Sequence, residues 1–379
     1  MKFALTLLTI FFPLLSNAAD IALPPAPLLQ AKSYVLYDYT SSQVLVGKNG
    51  DERVEPASLT KLMTAYITFN AIKQGKLTLS QKLTPSNYAL RIREEESRMF
   101  LQAGKAVSVD ELLHGLIVDS GNDAARVLAE NIANHELAFA TDMMNSEAMR
   151  LGMKNTHFVN ATGLPEEQHY SSANDLALLA AAIIRDFPEF YSIYSMREFQ
   201  YNNVKQFNRN QLLWLDPFVD GMKTGHTESA GFCLVASGKR DQHRLISVVL
   251  GASSESLRSS ESQRLLNYGF QNFDIVPLYK KDQPVTSVRT WKGTEKNTDI
   301  GFRADQFVTV PKGQRDQLKA TLETQQPLIA PIEKGAKIGI LKISLNGKPY
   351  VQLPLVALDN ISLANIFSRG VDTIRLLFQ

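Results

Sequence analysis

The order of strand-like and helical patterning constrains this chain more than any total does. Residues 33–38 and 43–47 are short strand patterns around Tyr39-Thr40-Ser41-Ser42, which predicts a hairpin. From Asn70 to Leu265 the pattern is mostly helical with polar loops, clearest over 109–116, 124–132, 135–150 and 175–184. Within that span it returns to strands at 219–227, 231–237 and 245–250. Strands at both ends with helices between them predict an α+β fold, one antiparallel sheet closed by its first and last strands. Beyond Asn272 come short strands at 285–290, 306–310, 318–324 and 337–344, with Asn346-Gly347 favouring a tight hairpin, so a second, all-β domain is expected.

The two ends of the sequence carry different signals. Met1-Lys2, an apolar run from Phe3 to Leu15 and the small residues Ser16-Asn17-Ala18-Ala19 have the form of a secretory signal peptide, cleaved after Ala18 or Ala19. Its apolar core falls short of the ~20 residues of a membrane span. The remaining chain, about 360 residues, predicts two domains. Boundaries are expected at 1–19 for the leader, 20–272 for the α+β domain, 273–358 for the β-rich domain and 359–379 for a terminal amphipathic helix. In that last segment Leu363, Phe367, Val371, Ile374 and Phe378 recur on one face. Such a helix either docks on the β domain or lies in a bilayer interface. Lys and Arg number 40 against 38 Asp and Glu, a balance that gives no reason to expect a nucleic-acid partner. Cys233, the single cysteine, cannot form an internal disulfide and is expected in a buried strand.

Three short motifs carry the chemistry. Pro56-Ala57-Ser58-Leu59-Thr60-Lys61 opens an apolar helical run, which puts Ser58 and Lys61 on one face. Alone, that spacing is common on surface helices with a solvated lysine. Ser120-Gly121-Asn122 on a loop and Lys223-Thr224-Gly225 on a strand follow in the order shared by serine acyl-transfer enzymes that use a lysine partner. Ser58 is the expected nucleophile and Lys61 its general base, provided desolvation and a second cation, Lys223, keep the amine neutral part of the time. Ser120 is expected to relay a proton to the leaving amine, and Asn122 to hold a substrate amide. Substrate would add as a strand beside Lys223, with Gly225 permitting close approach and Lys223 and Thr224 attracting a terminal carboxylate. The backbone N–H groups of Ser58 and His226 form the expected oxyanion hole.

Over nearly its whole mature length the chain resembles the low-molecular-mass penicillin-binding proteins, the D-alanyl-D-alanine carboxypeptidases of the penicillin-binding protein 5 and 6 type. The likeness includes Ser120-Gly121-Asn122-Asp123-Ala124, Lys154-Asn155-Thr156-His157-Phe158, Tyr170-Ser171-Ser172-Ala173, Asn208-Arg209-Asn210 and Lys223-Thr224-Gly225-His226-Thr227. The resemblance implies a transpeptidase-like domain, a small β-rich domain and a helix resting on the inner membrane, hence a periplasmic protein on that membrane's outer face. It implies that Ser58 is acylated by the penultimate D-Ala carbonyl of a peptidoglycan stem peptide ending in D-Ala-D-Ala, and that β-lactams acylate the same serine. It also implies a carboxylate-holding role for Arg258, although Ser253-Ser254-Glu255-Ser256 departs from the family's usual sequence there.

Other polar residues are expected to be structural. The mixed cluster 91–98 is read as a solvated loop, Asp175 as a first-turn helix acid, and Glu166-Glu167 as solvated. No histidine spacing suggests a metal, and no cofactor is expected. A class A β-lactamase shares the three motifs, yet neither Glu166 nor Glu167 begins the Glu-x-x-Leu-Asn pattern that such an enzyme needs. A non-catalytic scaffold would have lost a motif residue, and none is missing.

Overall fold

A computed structural model of the chain describes residues 23–378 and divides into two compact units, one spanning Pro25–Ile275 and the other containing Val276 onward. The expected leader, 1–19, lies outside the described residues.

The larger unit is layered. Strands β1 (Ser33–Asp38) and β2 (Gln43–Lys48) form the expected hairpin, and a 3₁₀ turn at Ala57–Thr60 leads into helix α1 (Lys61–Lys73). Helices α2 (Val109–Ile117), α3 (Asn122–Ala133) and α4 (Ala173–Asp186) follow. After them come a hairpin of β3 (Glu198–Tyr201) and β4 (Val204–Phe207), strands β5 (Val219–Thr227), β6 (Gly231–Arg240) and β7 (His243–Ala252), and helix α5 (Glu255–Asn272). The main sheet runs β2-β1-β7-β6-β5 and is antiparallel, with Ser33 opposite Leu250. β1 is buried on both faces. Its period of two sends Val35 and Tyr37 into the core shared with α1 to α4, and Tyr34 and Leu36 into the core shared with α5.

Helix α1 is buried nearly all round, from Lys61 through Phe69. An apolar helix without a solvent face belongs at the centre of a unit. Its buried hydroxyls are satisfied: Thr64 donates to the Ala161 carbonyl at 2.7 Å and Thr68 to the Thr64 carbonyl at 2.8 Å. Phe69 stacks on Phe190 with centroids 4.7 Å apart.

Three expectations need correction. The helix expected over 135–150 is interrupted by a π-helical turn at Phe139–Met144, which keeps Phe139, Ala140 and Met144 in the core. The β3–β4 hairpin falls in a region read as mostly helical. Its turn residues Asn202 and Asn203 both take positive φ, 47° and 60°, which asparagine tolerates and a two-residue hairpin demands. Leu363, expected on the terminal helix, pairs with Gly293 in an isolated bridge before that helix begins.

The second unit carries a six-stranded sheet, in which Lys337–Leu345 and Lys348–Ala357 are joined at Asn346-Gly347, φ 54° and 77°. It ends in helix α6 (Ile366–Leu376), capped by the Asn365 side chain, which accepts from Ser368 N–H at 2.9 Å.

Phe69→Ala removes a stacked, fully buried ring from the middle of the larger unit. It is expected to cost about 3–5 kcal/mol, read as a lowered urea midpoint by circular dichroism.

Candidate active site

Ser58 sits on a tight turn. Leu59 N–H donates to the Pro56 carbonyl at 3.1 Å, and Ala57 is held at φ 47°, a left-handed conformation unusual for alanine. Two glycines let neighbouring backbone close on this turn. A Cβ on Gly225 would stand 3.0 Å from the Pro56 oxygen, and one on Gly163 would stand 1.8 Å from the Ala57 oxygen. The close approach at Gly225 is therefore made by the protein's own turn.

Lys61 is 1% exposed, and its Nζ donates to Ser58 Oγ at 2.9 Å and to the Thr162 carbonyl at 2.8 Å. Burial, aided by the Arg209 guanidinium, lowers its pKa to about 7 against the pull of Glu96 and Asp123. The leading cation acting on Lys61 is thus Arg209, where sequence pointed to Lys223. The Thr162 segment is itself anchored: Glu136 accepts from Ala161 N–H at 2.8 Å, and His169 Nε2 meets Thr60 Oγ1 at 2.8 Å. Burial pushes the His169 pKa down to about 4, so that ring is a neutral structural partner.

A second serine–lysine pair faces the first. Ser120 is buried at φ 60°, and Lys223 Nζ donates to its Oγ at 2.9 Å and to the Thr224 carbonyl at 3.1 Å. Lys223 is 2% exposed, and burial, followed by repulsion from Lys61, Arg209 and Arg258, holds its pKa well below the usual lysine value. Asn122 opens α3 and donates Nδ2 to Glu96 Oε2 at 2.8 Å, while its own N–H bonds the Ser97 carbonyl at 2.8 Å. Asp123 fastens the same loop by accepting from Met99 and Leu101 N–H.

β5 is the edge of the main sheet, so its outer side is free of sheet partners. Thr224, Gly225 and His226 line a cavity of about 270 Å³ together with Ser58, Ser120, Arg209 and Arg258. Arg258 is 1% exposed and bonds the Arg209 carbonyl and Glu255, so it is far from a solvated helix start. A second cavity of about 530 Å³ also contains Ser58, with Asn122, Gly163 and His226 on its walls. Lys61 and Lys223 stand behind these walls, each in contact with a wall serine.

Some participants were not legible as such. The cluster 91–98 was read as solvated, yet Glu96 is buried against Asn122, and Arg93, Glu95 and Ser97 line the larger cavity. Arg209 donates to Ser97 Oγ at 2.6 Å and lines the smaller one. Asp119, beside Ser120, is buried with Oδ1 lacking a hydrogen-bond partner among the described residues; burial, partly offset by Arg209, lifts its pKa to about 7. Asp175 does more than begin a helix: its carboxylate accepts from Asn155 N–H and Thr156 Oγ1, both at 2.7 Å.

An apolar core on both sides of a five-stranded sheet, with two buried lysines each bonded to a serine, is the arrangement of the penicillin-binding fold. Residues 21–254 match the family described as D-alanyl-D-alanine carboxypeptidase, and residues 273–362 match the penicillin-binding protein 5 C-terminal domain. The carboxypeptidase DacA of Escherichia coli is 41% identical over 363 residues, covering 94% of this chain and 90% of that protein. DacF of Bacillus subtilis is 36% identical over 347 residues, 89% of this chain and 88% of that one. Penicillin-binding protein 5 of Haemophilus influenzae superposes with a TM-score of 0.84 at 41% identity, covering 89% of this chain and 99% of that structure. The chain belongs to the family of serine-type D-alanyl-D-alanine carboxypeptidases.

Two positive-φ glycines separate backbone strain from steric fit. Gly152→Ala, at φ 80° with open space around it, is expected to cost about 1 kcal/mol, whereas Gly163→Ala, at φ 87° against the Ala57 carbonyl, is expected to cost several times more. Paired thermal melts give the comparison.

Proposed function

We propose that this chain removes the terminal D-alanine from peptidoglycan stem peptides ending in D-Ala-D-Ala, through an acyl-enzyme on Ser58. The observation that carries this reading is the 2.9 Å contact between Ser58 Oγ and a buried Lys61 whose pKa lies near neutrality. In the neutral form that amine accepts the serine proton as Oγ attacks the penultimate D-Ala carbonyl. The backbone N–H groups of Ser58 and His226 receive the developing oxyanion. Substrate lies along the open edge of β5, its amide held by Asn122. Its terminal carboxylate is held by Thr224, Arg258 and Arg209, which line the smaller cavity; Lys223 acts through its hydrogen bond to Ser120. Lys61 passes the proton it took from Ser58 on through Ser120, which gives its own proton to the leaving amine and is reprotonated, so D-alanine departs with the electron pair of the broken C–N bond and Lys61 is neutral again. Water then attacks the ester with Lys61 again as base, and the proton returns to Ser58 as the shortened peptide leaves.

β-Lactams would acylate Ser58 by the same steps. Support comes from a Listeria monocytogenes penicillin-binding protein, 30% identical with a TM-score of 0.59, whose structure is described as an ampicillin-bound form; it spans 65% of this chain. Against a β-lactamase reading, Glu166 and Glu167 line a neighbouring cavity with His169 and Tyr170 and are absent from the walls that contain Ser58. Export to the periplasm follows from the leader read at 1–19. Peripheral attachment to the inner membrane follows from α6, whose Ile366, Phe367, Val371 and Ile374 are exposed.

Ser58→Ala is expected to abolish D-alanine release from a D-Ala-D-Ala peptide; release surviving the change would refute the acyl-enzyme. A general base must be unprotonated, so kcat/KM is expected to fall about tenfold per pH unit below the Lys61 pKa of about 7 and to level off above it. Lys61→Arg, whose guanidinium stays charged, is expected to lack activity across that range.

A further inference from the structure

In the C-terminal unit a cavity of about 840 Å³ lies where α6 meets the β domain. Its frame is fixed by backbone contacts. Ala364 N–H donates to the Lys292 carbonyl at 2.8 Å, Thr294 N–H to the Ser362 carbonyl at 2.9 Å, and Lys292 N–H to Asp372 Oδ2 at 2.7 Å. α6 is therefore docked on the β domain through one side while its apolar side chains remain uncovered, so the two placements weighed for this helix are compatible.

Arg289, Lys296 and Arg375 line the cavity, and Asp372 is the one acidic residue on its walls, with a carboxylate oxygen already engaged by Lys292 N–H. The Arg289 guanidinium lies 4.0 Å from the centroid of the buried Trp291 ring, which fixes its position. Phe367 and Val371 complete the argument. Both line the cavity and belong to the exposed apolar row of α6, with Phe367 86% exposed. A cationic hollow continuous with an uncovered apolar ridge matches a ligand with an anionic head and a hydrocarbon tail. A free phosphate would use only the first feature.

We propose that this cavity seats the phosphate headgroup of an anionic phospholipid, with Arg289, Lys296 and Arg375 as its cations and Phe367 and Val371 beside the acyl chains. The inference rests on the reading of α6 as a membrane-surface helix. It adds lipid selectivity and fixes how the β domain meets the bilayer.

The test is flotation of the full mature chain with vesicles of phosphatidylcholine, with and without phosphatidylglycerol. Wild type is expected to bind the phosphatidylglycerol vesicles more tightly. Arg289→Gln, Lys296→Gln and Arg375→Gln should each reduce that binding about fivefold while leaving phosphatidylcholine binding unchanged. Arg369→Gln, on the same helix but off the cavity wall, should reduce it much less. Equal losses in all four variants indicate diffuse attraction and overturn the site, as does binding indifferent to phosphatidylglycerol. Binding to neither vesicle overturns the membrane-helix reading and the site with it.

Discussion

Taking a lysine ammonium out of water is unfavourable by several kcal/mol unless its charge is matched or given up, and the larger unit is arranged around that fact at Lys61. The helix that carries it is buried on every side, which removes water. Its Nζ meets two oxygens, a serine hydroxyl and the Thr162 carbonyl, and neither carries a full negative charge. Glu96 and Asp123, which would stabilise the ammonium, are occupied by Asn122 and by backbone N–H groups. The result is an amine that exchanges its proton near neutrality. Everything that holds Thr162 in place, from Glu136 on Ala161 to the missing side chain at Gly163, holds that property too.

The two serine–lysine pairs also divide labour between the cleft and the core. The cavity walls present hydroxyls, amides and arginines, while both lysines stay behind the wall, each touching a serine oxygen. That separation leaves Arg209 and Arg258 as the wall cations at one end of the cleft, with Glu255 paired to Arg258 beside them. Two buried titratable groups also flank Ser120: Lys223 touches it, and Asp119 is the residue before it. The backbone strain falls at Ala57, the residue before Ser58, and at Ser120, where well-packed surroundings keep it from relaxing.

Much of this was legible because periodicity reports burial. The strands around Val35, Lys223 and Val248 and the helices from Val109 and Ala173 follow from patterns of two and of three to four. The three motifs were legible because each has a fixed residue type in a fixed local setting. What sequence left out was set by long-range contact. Glu96 looks like one acid among several until Asn122, far along the chain, turns out to bond it. Arg258 looks like a helix-start cation until Phe232 and Arg209 close over it. The β3–β4 hairpin is short and half exposed, so its alternation is weak, and the paired left-handed asparagines were its best available sign. Leu363 fits the apolar period of α6 by coincidence and spends itself on Gly293 instead.

The main sheet has its own schedule. β1 is made early, yet its permanent neighbour is β7: Ser33 lies opposite Leu250 and Asp38 opposite Leu245. Until that strand has been synthesised, β1 has only β2, and an isolated two-stranded ribbon is marginal in water. Closing so long a loop before the pairing rewards it makes such topologies slow to fold. The helices between can form, but the layer they pack against cannot be completed. The unit is thereby kept from locking into its final shape until nearly the whole of it has been made.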